Sequence, residues 1–124
     1  MRHGFVKVAA VTPDVRVADC DFNGDNIIKN IKECAELGVK IAVFPELSVT
    51  GYTCGELFLQ DRLLREAEST LERIIEAVKD LDILVFAGLP FERNGKLYNA
   101  AAAFKGGRLL GIVPKKNLPE YSEL

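Results

Sequence analysis

The sequence predicts an α/β fold in which three parallel strands alternate with two helices and a β meander follows, in the order β-α-β-α-β-β-β. Short apolar runs alternate with segments whose apolar residues recur every three or four positions, the pattern of buried strands joined by amphipathic helices. Beyond residue 88 that alternation gives way to period two, and Asn94-Gly95 and Gly106-Gly107 mark two tight turns. With 124 residues the chain amounts to one domain at most. Strand-helix-strand crossovers are right-handed and make parallel neighbours, and the later hairpins extend the same sheet.

Each element has its own signal. Residues 5–11, Phe-Val-Lys-Val-Ala-Ala-Val, read as a mostly buried first strand. A loop carrying Thr12-Pro13-Asp14 and Asp19-Cys20-Asp21 leads to a helix from about Asn23. Ile27, Ile31, Cys34 and Leu37 share one face of it, Asn23 is the expected N-cap and Gly38 the stop. Residues 39–44 form the second strand, closed by Pro45. The loop 46–55 then runs towards a longer helix whose apolar stripe is Leu64, Ala67, Leu71, Ile74, Val78 and Leu81. Residues 83–88 make the third strand. Asn94-Gly95 turns residues 89–92 back onto 97–104, and Gly106-Gly107 leads into 108–113. The polar residues 114–124 close with no stop signal, and the chain is expected to continue in a longer polypeptide.

Composition narrows the chemistry. Sixteen basic residues against eighteen acidic ones give a formal charge of -2 with no Lys/Arg block, which argues against nucleic acid or an anionic membrane as partner. No apolar run is long enough to span a bilayer, and the first residues lack the apolar core of a signal peptide, so a cytoplasmic location is expected. Cys20, Cys34 and Cys54 are widely spaced and fit reduced thiols better than a disulfide framework. His3 is the single histidine, so neither a zinc site nor a His-based catalytic triad can be built from this segment. No glycine loop of a phosphate-binding type follows the first strand.

Few residues remain as candidates for chemistry. Glu46 follows a buried strand and Pro45, at the carboxyl end of a parallel strand, where α/β sheets place their ligands. A carboxylate flanked by Phe44, Pro45 and Leu47 suits a general base. Lys115, between Pro114 and Pro119, could hold an ammonium near a developing oxyanion. Taken singly, a loop glutamate and a lysine pair after a strand are more often solvated. Cys54 shares the loop with Glu46, although a small half-buried residue in a turn is its simpler description. Tyr52 and Tyr121 could line a pocket or simply pack.

Together these stretches closely resemble a known family. Phe44-Pro45-Glu46-Leu47-Ser48-Val49-Thr50-Gly51-Tyr52 resembles the first signature of the nitrilase (carbon-nitrogen hydrolase) superfamily, and Gly111 through Pro119 with its Lys-x-x-Leu-Pro resembles the second. The stretch Tyr52-Thr53-Cys54-Gly55-Glu56-Leu57-Phe58-Leu59-Gln60-Asp61, with Arg16 to Asn23 and Leu118 to Glu123, narrows the likeness to the amino-terminal glutaminase domains of glutamine-dependent NAD(+) synthetases. The resemblance implies a partial α-β-β-α sandwich, with residues 1–124 as the amino-terminal part of one glutaminase domain. It places the general base on Glu46, the oxyanion-stabilising lysine on Lys115 and substrate-binding tyrosines on Tyr52 and Tyr121. The family's nucleophilic cysteine belongs to a third signature that this chain lacks, as it lacks the synthetase half, where ATP and magnesium would act. No metal or cofactor is then expected in this segment. Glutamine, the remainder of the polypeptide and further copies in a homo-oligomer are the expected partners, and the 124 residues alone are expected to be inactive, with unpaired edges and an uncovered apolar face. A stand-alone amidase or carbamoylase would share Glu46 and Lys115, and a non-catalytic α/β assembly module would keep only the fold.

Overall fold

The structure, a computed structural model, describes residues 4–51 and 61–117. Its elements run β1 (Val8–Ala10), α1 (Cys20–Glu36), β2 (Ile41–Val43), α2 (Asp61–Ala77), β3 (Leu84–Arg93), β4 (Lys96–Lys105) and β5 (Arg108–Asn117). All five strands form one sheet in sequence order, with β1, β2 and β3 parallel and β4 and β5 added antiparallel. That is the predicted order, with two hairpins where the glycines marked them. Asn94 and Gly95 lie at φ 53° and 76°, and Gly106 and Gly107 at 61° and 81°, the left-handed pairs that a type I′ turn requires.

Both helices pack on one face of the sheet. Ala42, Val85, Ala87, Leu89, Ala102 and Phe104 point that way and meet Ile27 and Ile31 of α1 and Leu71 and Ile74 of α2 in a single core. The helices also touch each other closely at Gly24, where a Cβ would lie 2.5 Å from Arg73 Nη2 and 2.6 Å from Thr70 Cγ2. The opposite face carries Val8, Val43 and Val113, all substantially exposed.

Several local expectations are corrected. The first strand is short and its outward residues Val8 and Ala10 are exposed, because β1 is an edge strand with a helix on one face only. Helix α1 begins at Cys20, and its N-cap is Asp19, whose side chain accepts from Phe22 N–H at 3.0 Å. Asn23, expected as the cap, is fully buried one turn further on, at the position that continues the Ile27–Ile31 stripe towards the N-terminus. Leu37, expected on that stripe, is the C-cap and is exposed, while Gly38 at φ 77° ends the helix as predicted. Val78 and Leu81 still pack on the core but follow the end of α2. The third strand runs without a break from Leu84 to Arg93, and the last continues through Pro114 to Asn117. Lys115 therefore lies within a strand and not in the loop after one. Tyr52, Cys54 and Tyr121 lie outside the described residues.

Candidate active site

Two features of the fold bring Glu46 and Lys115 together. The first is the loop after β2, which carries the backbone of 44–49 alongside β3 as though it were a further strand. Phe44 N–H donates to Phe86 O at 2.9 Å and Val49 N–H to Gly88 O at 3.0 Å. Between them Glu46 is carried out over the helix-free face. Leu47 follows at φ 53°, a conformation that costs a branched residue on the order of 1–3 kcal/mol. A tight turn with Gly51 N–H on Leu47 O at 2.6 Å and the burial of the Leu47 side chain hold it there.

The second feature is a β-bulge. Ala100 pairs with Pro114 and Asn99 with Lys116, so Lys115 is an extra residue on β5. Proline has no N–H to give the ladder and is accepted at such irregular edge positions, and a bulge re-aims the side chain it carries. The result is an ion pair of 4.0 Å between Lys115 Nζ and Glu46 Oε1, with both side chains about half exposed (50% and 43%). The pair stands at a cavity of about 280 Å³ floored by Val43, Phe86, Ala101 and Val113. Glu46 and Lys115 are the ionisable residues of that otherwise apolar lining. A carboxylate and an ammonium across an apolar hollow can move a proton and hold a developing negative charge beside one another.

Other groups build this geometry without belonging to it. Asn23, from inside α1, accepts from Arg16 N–H at 2.7 Å and donates to Arg16 O and Val49 O at 2.8 and 2.9 Å. With Ala18 N–H on Thr50 O at 2.8 Å, it staples the loop before α1 to the loop that bears Glu46. The sequence suggests a cap at Asn23, although its place on the apolar stripe marks it as buried. Ser48 carries no such signal, whereas Gly88 is a lone glycine inside a strand pattern, the usual sign of close backbone approach.

A larger hollow of about 620 Å³ opens between the N-terminal ends of the two helices, beside Asp19, Cys20, Asp21, Arg62, Arg65 and Glu66. Burial, with Glu66, Asp21 and Asp19 adding to it, pushes the Cys20 thiol up to about 11, which favours the protonated thiol at neutral pH. Burial also raises Cys34. Among the described residues no three His, Cys, Asp or Glu side chains come together as a metal site, and no helix is long and apolar enough to cross a membrane.

With Glu46 and Lys115 of the two motifs side by side, the profile of the carbon-nitrogen hydrolase family matches residues 7–123. The chain belongs to the carbon-nitrogen hydrolase family. It is 38% identical over 120 residues to the glutamine-dependent NAD(+) synthetase of Mycobacterium leprae, covering 97% of this chain and 18% of that protein. A crystal structure of a glutamine-dependent NAD(+) synthetase from Cytophaga hutchinsonii superposes with a TM-score of 0.83 at 30% identity, over 92% of this chain and 19% of that one. An amidase of the nitrilase superfamily from Nesterenkonia shares the fold, with a TM-score of 0.77 at 24% identity over 99% of this chain and 47% of its own. This carbon-nitrogen hydrolase chain thus has the predicted nitrilase-type fold and resembles the part of the synthetases that its motifs pointed to, and it spans about a fifth of the synthetases' length.

Proposed function

We propose that this chain is the amino-terminal part of the glutaminase domain of a glutamine-dependent NAD(+) synthetase, and that Glu46 and Lys115 work on the side-chain amide of glutamine. The observation that carries this reading is the pair itself, 4.0 Å apart over an apolar cavity at the end of β2. The remainder of the polypeptide supplies a cysteine nucleophile. Glu46 takes the thiol proton as the sulfur bonds to the amide carbon, and Lys115 holds the negative charge that builds on the carbonyl oxygen. Glu46 then returns its proton to the leaving nitrogen, ammonia departs, and water releases glutamate from the thioester. The ammonia serves an ATP-dependent amidation of deamido-NAD at a separate synthetase unit. Tyr52 and Tyr121 contribute to holding glutamine, and the protein acts as a cytoplasmic homo-oligomer.

Ammonia release from glutamine by the natural full-length chain tests this at saturating substrate. Glu46→Gln is expected to lower kcat by about 10²–10⁴-fold. Lys115→Met should cost on the order of 10²–10³-fold. Rates indifferent to Glu46 would sink the assignment, and a full-length protein that releases ammonia from simple amides but not from glutamine would point to an amidase instead.

A further inference from the structure

The backbone that carries Glu46 is held against β3 by Ser48 and by Gly88, which also lines the cavity. Gly88 N–H donates to Ser48 Oγ at 3.2 Å, and the same hydroxyl donates to Gly88 O at 3.5 Å. Ser48 is 2% exposed, so this exchange takes place away from water. A Cβ on Gly88 would lie 2.5 Å from Leu47 N, 2.7 Å from Pro45 O and 2.9 Å from Glu46 Cα. Those are backbone atoms of three consecutive residues centred on Glu46, and none can swing aside as a flexible side chain would.

We propose that Ser48 and Gly88 are positioning residues for Glu46, a clamp that presses its backbone onto β3 and sets its carboxylate opposite Lys115. The kinetic part of this proposal rests on the glutaminase reading; the geometric part does not. Gly88 supplies closeness, since no other residue lets the loop lie this near the strand. Ser48 supplies grip, since its hydroxyl replaces the ladder bond that a true neighbouring strand would give to Gly88 N–H. Catalysis depends steeply on such placement, and a shift of about 1 Å can cost about 10²-fold.

The test uses the natural full-length chain. Ser48→Ala is expected to lower kcat for glutamine by about 10- to 100-fold with KM changed by less than about twofold, and Gly88→Ala by about 100-fold or more. Ser48→Thr, which keeps the hydroxyl, should restore most of the rate. Because the clamp acts through the carboxylate, Ser48→Ala added to Glu46→Gln should change the residual rate by less than about twofold. Wild-type kcat in folded Ser48→Ala, or the same fold loss on top of Glu46→Gln, overturns the proposal. Should Ser48→Ala fail to fold, Ser48→Cys keeps the volume with a weaker hydrogen bond, and wild-type kcat in that folded variant overturns it equally. Crystal structures of wild type and Ser48→Ala separate this inference from the function it rests on. Displacement of the Glu46 carboxylate from Lys115 is expected whatever the substrate proves to be, and unchanged geometry overturns the clamp.

Discussion

One face of this sheet is covered by two helices and the other carries the candidate site, and the two are built by different rules. On the helix side, side chains of β2, β3 and β4 alternate inward and are closed off almost completely, with Val85, Ala87 and Leu89 all at 0% exposure. On the far side β1, β2 and β5 present Val8 at 58%, Val43 at 42% and Val113 at 57% exposure. Glu46 and Lys115 reach that side where the regular pattern breaks, at the left-handed turn beside Glu46 and at the bulge that carries Lys115. Regular alternation makes a core, and irregularity aims a functional group. The stability of the fold and the geometry of the site are therefore separable by mutation.

The largest effect is expected on the helix side. Phe104, 1% exposed, belongs to the core on the helix side, and Phe104→Ala should destabilise the fold by about 3–5 kcal/mol, measured by denaturant unfolding. A loss below about 1 kcal/mol would mean that this face is not the core. On the far face, Val8→Thr and Val43→Thr should together change stability by less than about 1 kcal/mol, since neither side chain is withdrawn from water. Their effect should appear in association. A bare apolar face and the open backbone of an edge strand are both adhesive, so the 124-residue chain is expected to self-associate and the double variant to do so less, as read by sedimentation. A monodisperse wild-type chain that unfolds cooperatively would break the comparison.

The sequence displays the helix side better than the site. Periodicity and turn glycines lay out the element order, since Ile27, Ile31, Leu71 and Ile74 repeat at helical spacing and Asn94-Gly95 admits few other conformations. Glu46 and Lys115 were legible as residues only through their motifs, because a loop glutamate and a lysine after a strand look solvated by composition. Their meeting is implied by the family resemblance and not by spacing or periodicity. Its geometry depends on the register slip at Pro114, which leaves Lys115 as the extra residue of β5, and on close approach at Gly88, of which the lone glycine in a strand pattern is the one sequence sign. Asn23 misled for a related reason, because asparagine caps helices far more often than it is buried within their first turns. Polar residues that hold two loops together leave no periodic trace.

The smallest expected effect belongs to neither face. Asp82, in the connection before β3, takes Lys40 Nζ and Lys105 Nζ at 3.0 Å each and so ties the starts of β2 and β3 to the far end of β4. Hydrogen bonds from Lys40 and then Lys105 pull its carboxyl down to about 2. A carboxyl lowered on folding contributes stability that is present above its unfolded value, near 3.9, and is lost as pH falls through the folded one. Wild-type stability should therefore decline more steeply than that of Asp82→Asn between about pH 4 and pH 2. At neutral pH the two should differ little, since exposed ion pairs contribute modestly, and about 1 M salt should narrow the gap further. If the two acid profiles run parallel, the paired lysines do not act on Asp82 in solution. The cohesion of the sheet then comes from the helix-covered face and the strand ladder alone.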